Sequence, residues 1–247
     1  SQAISALLCI VYIYCKVPAL VPEKKHWRLT AGDTRYQLQM GIPMALQFAI
    51  TSSGTMIMQS AINLFGSTAV AAFTATGKLQ SLLMQGMIAM GQTMATYCGQ
   101  NMGAGRIDRV KKGIWLALLY TCIWCMLTVV ASYTIGAGLV GLVTGSKNEV
   151  VIHTATVYLK FNTVFYCVTA VICILRNAMQ GLGERITPLV SSSLEMIGKI
   201  VIAAALVPRI GYNGVIVAEP LVWFIMVIPL VVRIYTMPVM RGKKQTL

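Results

Sequence analysis

The side chains that could do chemistry here are polar groups set among apolar neighbours, not a catalytic constellation. Gln47, Thr51, Thr55 and Gln59 recur every four residues, so one helix carries them as a single, slowly drifting polar stripe. Lys78, Gln85 and Gln92 recur every seven residues, and Asn162, Tyr166 and Thr169 at spacings of four and three. Each of these sets also falls on one helical face. Glu195 and Lys199 stand four residues apart near the middle of an apolar stretch. A lone charge at the centre of a bilayer costs about 2.5–3.5 kcal/mol on insertion scales, and neighbours at this spacing can neutralise each other. The stripes suit either a water-filled cavity or hydrogen bonds between helices. Glu195 and Lys199 suit either a structural ion pair or a site that takes up a cation or proton. Glu219, immediately before Pro220, reads as a solvated carboxylate or one in the first turn of its helix.

Several chemistries are disfavoured. The chain has no HExxH, no GxSxG, no P-loop and no paired carboxylates at helical spacing. Gly99-Gln-Asn-Met-Gly-Ala-Gly105 is glycine-rich, but no strand precedes it and its spacing does not fit a dinucleotide fingerprint. Neither an enzyme nor a bound cofactor is expected. All seven cysteines lie in apolar stretches, and Cys122-x-x-Cys125 has no second pair or His cluster to complete a zinc site. They read as small buried hydrophobes. Met84, Met87, Met90 and Met94 cluster on one stretch, where flexible thioethers serve either a promiscuous binding surface or ordinary packing.

The elements that must position these groups follow from composition. The 247 residues are 57% hydrophobic and 11% charged, with a mean hydropathy of +0.72. No Asp, Glu, Lys or Arg occurs in the runs Tyr36 to Gly77, Leu79 to Gly105 and Gly113 to Ser146. A spanning helix needs about 20 mostly apolar residues, so each run can hold one. A soluble bundle would need charged outer faces. The chain therefore reads as an all-α polytopic membrane protein. Residues 1–16 form the end of a preceding transmembrane helix and 17–35 a cytoplasmic connector with Pro18, Pro22, His26 and Trp27. Six spans follow within 36–236, at about 36–62, 70–98, 112–143, 151–180, 187–207 and 214–236. Residues 237–247 form a basic cytoplasmic tail. Pro188 opens its span, where its missing N–H costs little, whereas Pro43, Pro220 and Pro229 fall inside spans and are expected to kink them.

The net charge of +13 would suggest nucleic acid in a soluble protein. Here the basic residues alternate by loop. They cluster at Lys16 to Arg35, Arg106 to Lys112, Arg185 and Arg233 to Lys244, while the intervening connections are poor in charge. That is the positive-inside pattern of a multi-pass protein with its C-terminus in the cytoplasm, in the plasma membrane. The partner is then a lipid bilayer and not nucleic acid. The chain opens at Ser1 directly into an apolar stretch, without an initiator Met or signal n-region, and is expected to be the later part of a longer protein.

Three stretches together carry a family resemblance. The first is Gly41-Ile-Pro43-Met-Ala-Leu-Gln47, with Asn63-Leu-Phe-Gly66-Ser-Thr-Ala-Val-Ala-Ala72. The second is Gly99-Gln100-Asn101-Met-Gly103-Ala-Gly105-Arg106. The third is Gln180-Gly181-Leu-Gly183-Glu-Arg-Ile-Thr-Pro188, with Glu195 and the later Glu219-Pro-Leu-Val-Trp223. In this order they resemble the multidrug and toxin extrusion (MATE) family of efflux transporters over nearly the whole chain. The resemblance implies a twelve-helix transporter in two six-helix lobes, of which this chain supplies the second lobe and the end of span six. It also implies a missing N-terminal lobe as partner, small amphipathic or cationic substrates, and export in exchange for protons or sodium. That gradient would be the energy source in place of a cofactor. Some members place coupling carboxylates in spans seven and ten; the best-matching positions here are Thr51 and Thr169, which moves cation coupling toward the other lobe. A lipid or lipid-linked oligosaccharide flippase of related architecture is the alternative.

Overall fold

A computed structural model describes residues 2–17, 21, 30–145, 148–238 and 240. Every regular element among them is helical, and the protein is an all-α polytopic membrane protein. The chain divides into two compact units, Ser1–Ile42 and Pro43–Leu247. Most of the expected connector, including His26 and Trp27, and the tail from 241 onward lie outside the described residues.

The first unit holds α1 (Gln2–Lys16), none of whose residues is buried, and the start of α2 (Ala31–Asn63). Thr30 caps α2: the Asp33 N–H donates to its hydroxyl oxygen at 3.2 Å, and the hydroxyl donates to the Asp33 carboxylate. A carboxylate in the first turn also complements the helix dipole. Cys9 and Cys15 of α1 are exposed, against the expectation of burial, while Cys98 and Cys125 are buried.

In the second unit, α2 continues from Pro43 and α3 covers Ser67–Gly103. With 33 and 37 residues, they extend about 50 and 55 Å, well beyond a hydrocarbon core of about 30 Å. Next come α4 (Ile107–Thr134), α5 (Gly136–Thr144), α6 (Glu149–Val164) and α7 (Tyr166–Gly181). The last stretch comprises α8 (Ile186–Val201), a π-helical turn at Ile202–Leu206, α9 (Val207–Ile210) and α10 (Tyr212–Thr236). By length and composition, Ile107–Thr134, Ile186–Ile210 and Tyr212–Thr236 could each cross a membrane, and α6 with α7 makes a fourth, broken span. The first two expected spans are helical but carry too many Gln, Ser, Thr and Gly residues to pass the same test.

Three boundaries differ from the sequence reading. The third span is not one helix over 112–143, because α4 ends at Thr134 and α5 starts after Ile135. The fourth bends by 57° between Val164 and Tyr166, with no proline there. One turn before the break, the Asn162 side-chain amide donates to the Tyr158 carbonyl at 3.1 Å and to the Ile216 carbonyl of the last helix at 3.4 Å. By contrast, Pro43, Pro220 and Pro229 lie inside helices assigned as continuous. In the fifth, Pro208 cannot supply the N–H that would bond the Ala204 carbonyl, and the preceding turn widens to π geometry.

The core lies among α3, α4, α7 and α10. Tyr166 is fully buried and packs edge-on against Trp223, ring centroids 6.2 Å apart. Met87 and Met94 are buried there, and Met84 and Met90 pack against it. The methionine cluster is core packing. No group of three metal-ligating side chains occurs among the described residues.

Candidate functional site

The predicted stripes resolve into two buried polar centres and one exposed face. The first centre is built where α2 meets α7 and α8. Lys199 Nζ donates to Glu195 Oε1 at 2.8 Å, and both residues are 7% exposed. The i,i+4 spacing of α8 makes this pair; its burial makes it consequential, since breaking such a pair strands a charge. Thr51 of α2 donates its hydroxyl to the other Glu195 oxygen at 3.2 Å. One turn earlier, Gln180 of α7 donates to Gln47 Oε1 at 2.8 Å. One turn later, Gly54 lies against Lys199, and a Cβ there would stand 3.1 Å from Lys199 Cδ. Positions 47, 51 and 54 are thus one face of α2, fastened to its neighbours by polar contacts.

Arg176 of α7 belongs to the same neighbourhood, where the Glu195 charge acts on it. Its Nε and Nη2 atoms are buried without a hydrogen-bond partner. With Glu195 already held by Lys199 and Thr51, the centre contains two cations and one carboxylate.

The second centre surrounds Glu219, which sequence reading placed at the helix start or in solvent. Instead α10 begins at Tyr212, so Glu219 sits two turns in and half-buried. Gln80 of α3 donates to its Oε2 at 3.0 Å. The buried phenols of Tyr158 and Tyr166 lie where the Glu219 charge reaches both, Tyr158 at the edge of hydrogen-bonding reach. Asn162 Oδ1 is also buried without a partner. No basic group among the described residues is within ion-pair distance of Glu219. The sequence did contain a signal for it: Gly211 and Asn213 mark the turn, and counting from Gly211 puts the carboxylate at membrane depth.

The remaining stripe residues do not join either centre. Thr55 is exposed and Gln59 bonds only Asn63 of its own helix, at 3.3 Å. Lys78, Gln85 and Gln92 share one exposed face of α3. Thr169 is partly buried, its hydroxyl oxygen unpartnered.

The two glycine motifs, widely separated in sequence, meet in space. A Cβ on Gly99 at the end of α3 would stand 3.4 Å from the Gly181 carbonyl oxygen, and one on Gly181 would run into the Ala95 backbone. Each motif then ends its helix in a left-handed turn, at Gly105 (φ +70°) and Gly183 (φ +82°). Asn101 O accepts from Arg106 N at 2.8 Å and Met179 O from Glu184 N at 2.9 Å, which satisfies the terminal carbonyls. Gln100 and Gly103 are exposed, Asn101 is half-buried, and Arg106 pairs with Asp108 at 3.2 Å. Gly181→Ala is expected to cost about 1–3 kcal/mol, because backbone must yield. A melting curve in detergent, compared with Gly103→Ala where nothing lies within 4 Å, checks this.

Glu184 then ties the turn to its neighbours. Its Oε1 accepts from the N–H groups of Ile186 and Thr187 at 3.2 and 3.4 Å, capping α8, with Pro188 buried in that first turn. Its Oε2 takes two donors from Arg233 of α10, at 2.8 and 2.5 Å. Partial burial pushes the carboxyl up, but the Arg233 bond and charge, with the two backbone donors, outweigh it and hold it below its ordinary 4.5. The stabilisation is complete above that value and lost as pH falls through the lowered one. Arg233 is 43% exposed, so screening limits the pair to about 1 kcal/mol. Arg233→Ala should lower the melting temperature at pH 7, and the difference from wild type should shrink once pH falls below 4.5 and vanish only below the lowered Glu184 value.

Comparison with known proteins fits this architecture. The chain is 28% identical over 192 residues to "Probable multidrug resistance protein YpnP" of Bacillus subtilis (strain 168), covering 77% of this chain and 42% of that one. It is 26% identical over 102 residues to "Probable multidrug resistance protein YoeA" of the same organism, covering 40% of this chain and 22% of the relative. The chain thus spans less than half the length of these curated relatives. Among solved structures, it superposes on an "Outward-facing conformation of a multidrug resistance MATE family transporter of the MOP superfamily" with a TM-score of 0.78 at 13% identity. That match covers 96% of this chain and 54% of the other. A MOP superfamily transporter from Pyrococcus furiosus, titled for the "reverse polarity" of its binding pocket, gives 0.76 at 15% identity over 92% of this chain and 53% of its own. These likenesses show the fold. The MatE family matches residues 43–205, well over half of the sequence, and the chain belongs to that family.

Proposed function

We propose that this chain is one lobe of a secondary active multidrug transporter, not an enzyme, which exports amphipathic, mostly cationic organic molecules in exchange for protons or sodium. The partner is a second six-helix lobe. The protein sits in the plasma membrane with its C-terminal tail in the cytoplasm, and an ion gradient takes the place of a cofactor. The names of the Bacillus subtilis relatives support the drug-export part. The observation that carries exchange is Glu219: a membrane-depth carboxylate with no counter-cation among the described residues, hydrogen-bonded by Gln80 and flanked by unpartnered phenols. A carboxylate so placed can pick up and release a proton, or share a sodium ion with neighbouring oxygens. This chain reconstituted in liposomes together with the second lobe should move a fluorescent organic cation against its gradient when a proton or sodium gradient is imposed. No movement under either gradient overturns the reading.

A flippase for lipids or lipid-linked oligosaccharides is favoured by one observation, the buried and unpartnered Arg176 nitrogens within reach of the Glu195 charge. The other intramembrane cations contribute less: Lys78 is exposed and Lys160 lies over the Tyr133 ring at 5.5 Å. Saturable binding of a lipid-linked pyrophosphate without drug export would establish that alternative.

A further inference from the structure

At the end of the lobe that carries the Gly105 turn, α4, α7 and α10 enclose a groove of about 470 Å³, open on one side. That volume is in the range of small-molecule sites. Its floor is apolar, formed by Ile114 and Leu118 of α4, Leu175 of α7 and Ile234 of α10. Its rim is different. Lys111, in the second turn of α4, closes one end, Trp115 stands a turn further along, and Tyr235 faces them from the end of α10. Trp115 is 66% and Tyr235 73% exposed, an exposure these rings favour at the level of lipid headgroups. No acidic residue lines the groove among the described residues. The nearest carboxylate in sequence, Asp108, is taken by Arg106 at 3.2 Å, while Lys111, Lys112 and Arg109 are exposed.

We infer that this groove binds an anionic phospholipid, with an acyl chain along the apolar floor and the phosphate at Lys111. The charge complementarity is one-sided: cations at the headgroup end, none along the floor. A chain-and-phosphate ligand fits that asymmetry, whereas an organic cation would meet Lys111 at the entrance. The site is separate from both polar centres and does not depend on what is exported. Its floor nevertheless includes Leu175, adjacent in sequence to Arg176, so lipid occupancy bears on the helix that carries the first centre.

The test is lipid retention by the purified protein in detergent with equal phosphatidylglycerol and phosphatidylcholine, read by native mass spectrometry. Wild type should retain phosphatidylglycerol about fivefold over phosphatidylcholine, the factor one cationic contact near a membrane surface supplies. Lys111→Gln should bring the ratio close to one. Leu175→Trp, which fills the floor, should reduce retention of both lipids, and Arg209→Gln, outside the groove lining, should change nothing. Equal retention of the two lipids by wild type overturns the inference. So does a preference that survives Lys111→Gln, and so does displacement of the lipid by an organic cation at micromolar concentration, which would make the groove a drug site.

Discussion

Glu195→Gln reduces the yield of folded protein severely, whereas the double substitution Glu195→Leu with Lys199→Met restores most of it. The single change removes one half of a pair buried at 2.8 Å and leaves Lys199 charged, 7% exposed and pressed against Gly54. Breaking a buried pair from one side typically costs about 3–5 kcal/mol, while replacing both members by apolar groups of similar volume is often neutral. The Thr51 hydroxyl, which donates to Glu195, can still donate to Gln, so its bond does not explain the loss. Fluorescence-detected size-exclusion yields of wild type, single and double variants decide the matter. Equal yields from single and double variants would show that the pair contributes little to the fold. Transport by the folded double variant adds a second result. Export at the wild-type rate assigns Glu195 and Lys199 to architecture, and loss of export in a stable protein assigns them to the solute path.

Glu219→Gln has the opposite signature: the protein folds, and gradient-driven export falls to background. The carbonyl oxygen of Gln can still accept from Gln80, whose bond to Glu219 is 3.0 Å, so stability changes by no more than about 1 kcal/mol. The lost property is the ability to alternate between a charged and a neutral form. Energised proteoliposomes report the first effect and a melting curve the second. Export at wild-type rates by Glu219→Gln would remove Glu219 from coupling and return that role to the other lobe. Tyr158→Phe and Tyr166→Phe, which remove buried hydroxyls without hydrogen-bond partners, are expected to have little effect on melting.

The sequence by itself determined what depends on solvent and on helical periodicity. Charge-free runs longer than a bilayer is thick made the class certain, since no soluble bundle can present such surfaces to water. The i,i+4 spacing made the Glu195–Lys199 pair readable, because helical geometry alone sets those neighbours side by side. Glycines after the apolar stretches marked the turns at Gly105 and Gly183, since only a residue without a Cβ adopts positive φ cheaply there. Tertiary structure decided the rest, because it depends on which helices touch. Nothing in the sequence linked Gln47 to Gln180, or Gln80 to Glu219. These contacts come from helices more than a hundred residues apart, and periodicity gives the face of a helix but not what that face meets. The same gap explains the stripes: Gln47 and Thr51 found partners, while Lys78, Gln85 and Gln92 on equally good spacing remained at the surface. The bend at Phe165 escaped the proline rule for a related reason. No proline marks it, and the Asn162 amide one turn before it reaches the Ile216 carbonyl of another helix, which only folding brings alongside.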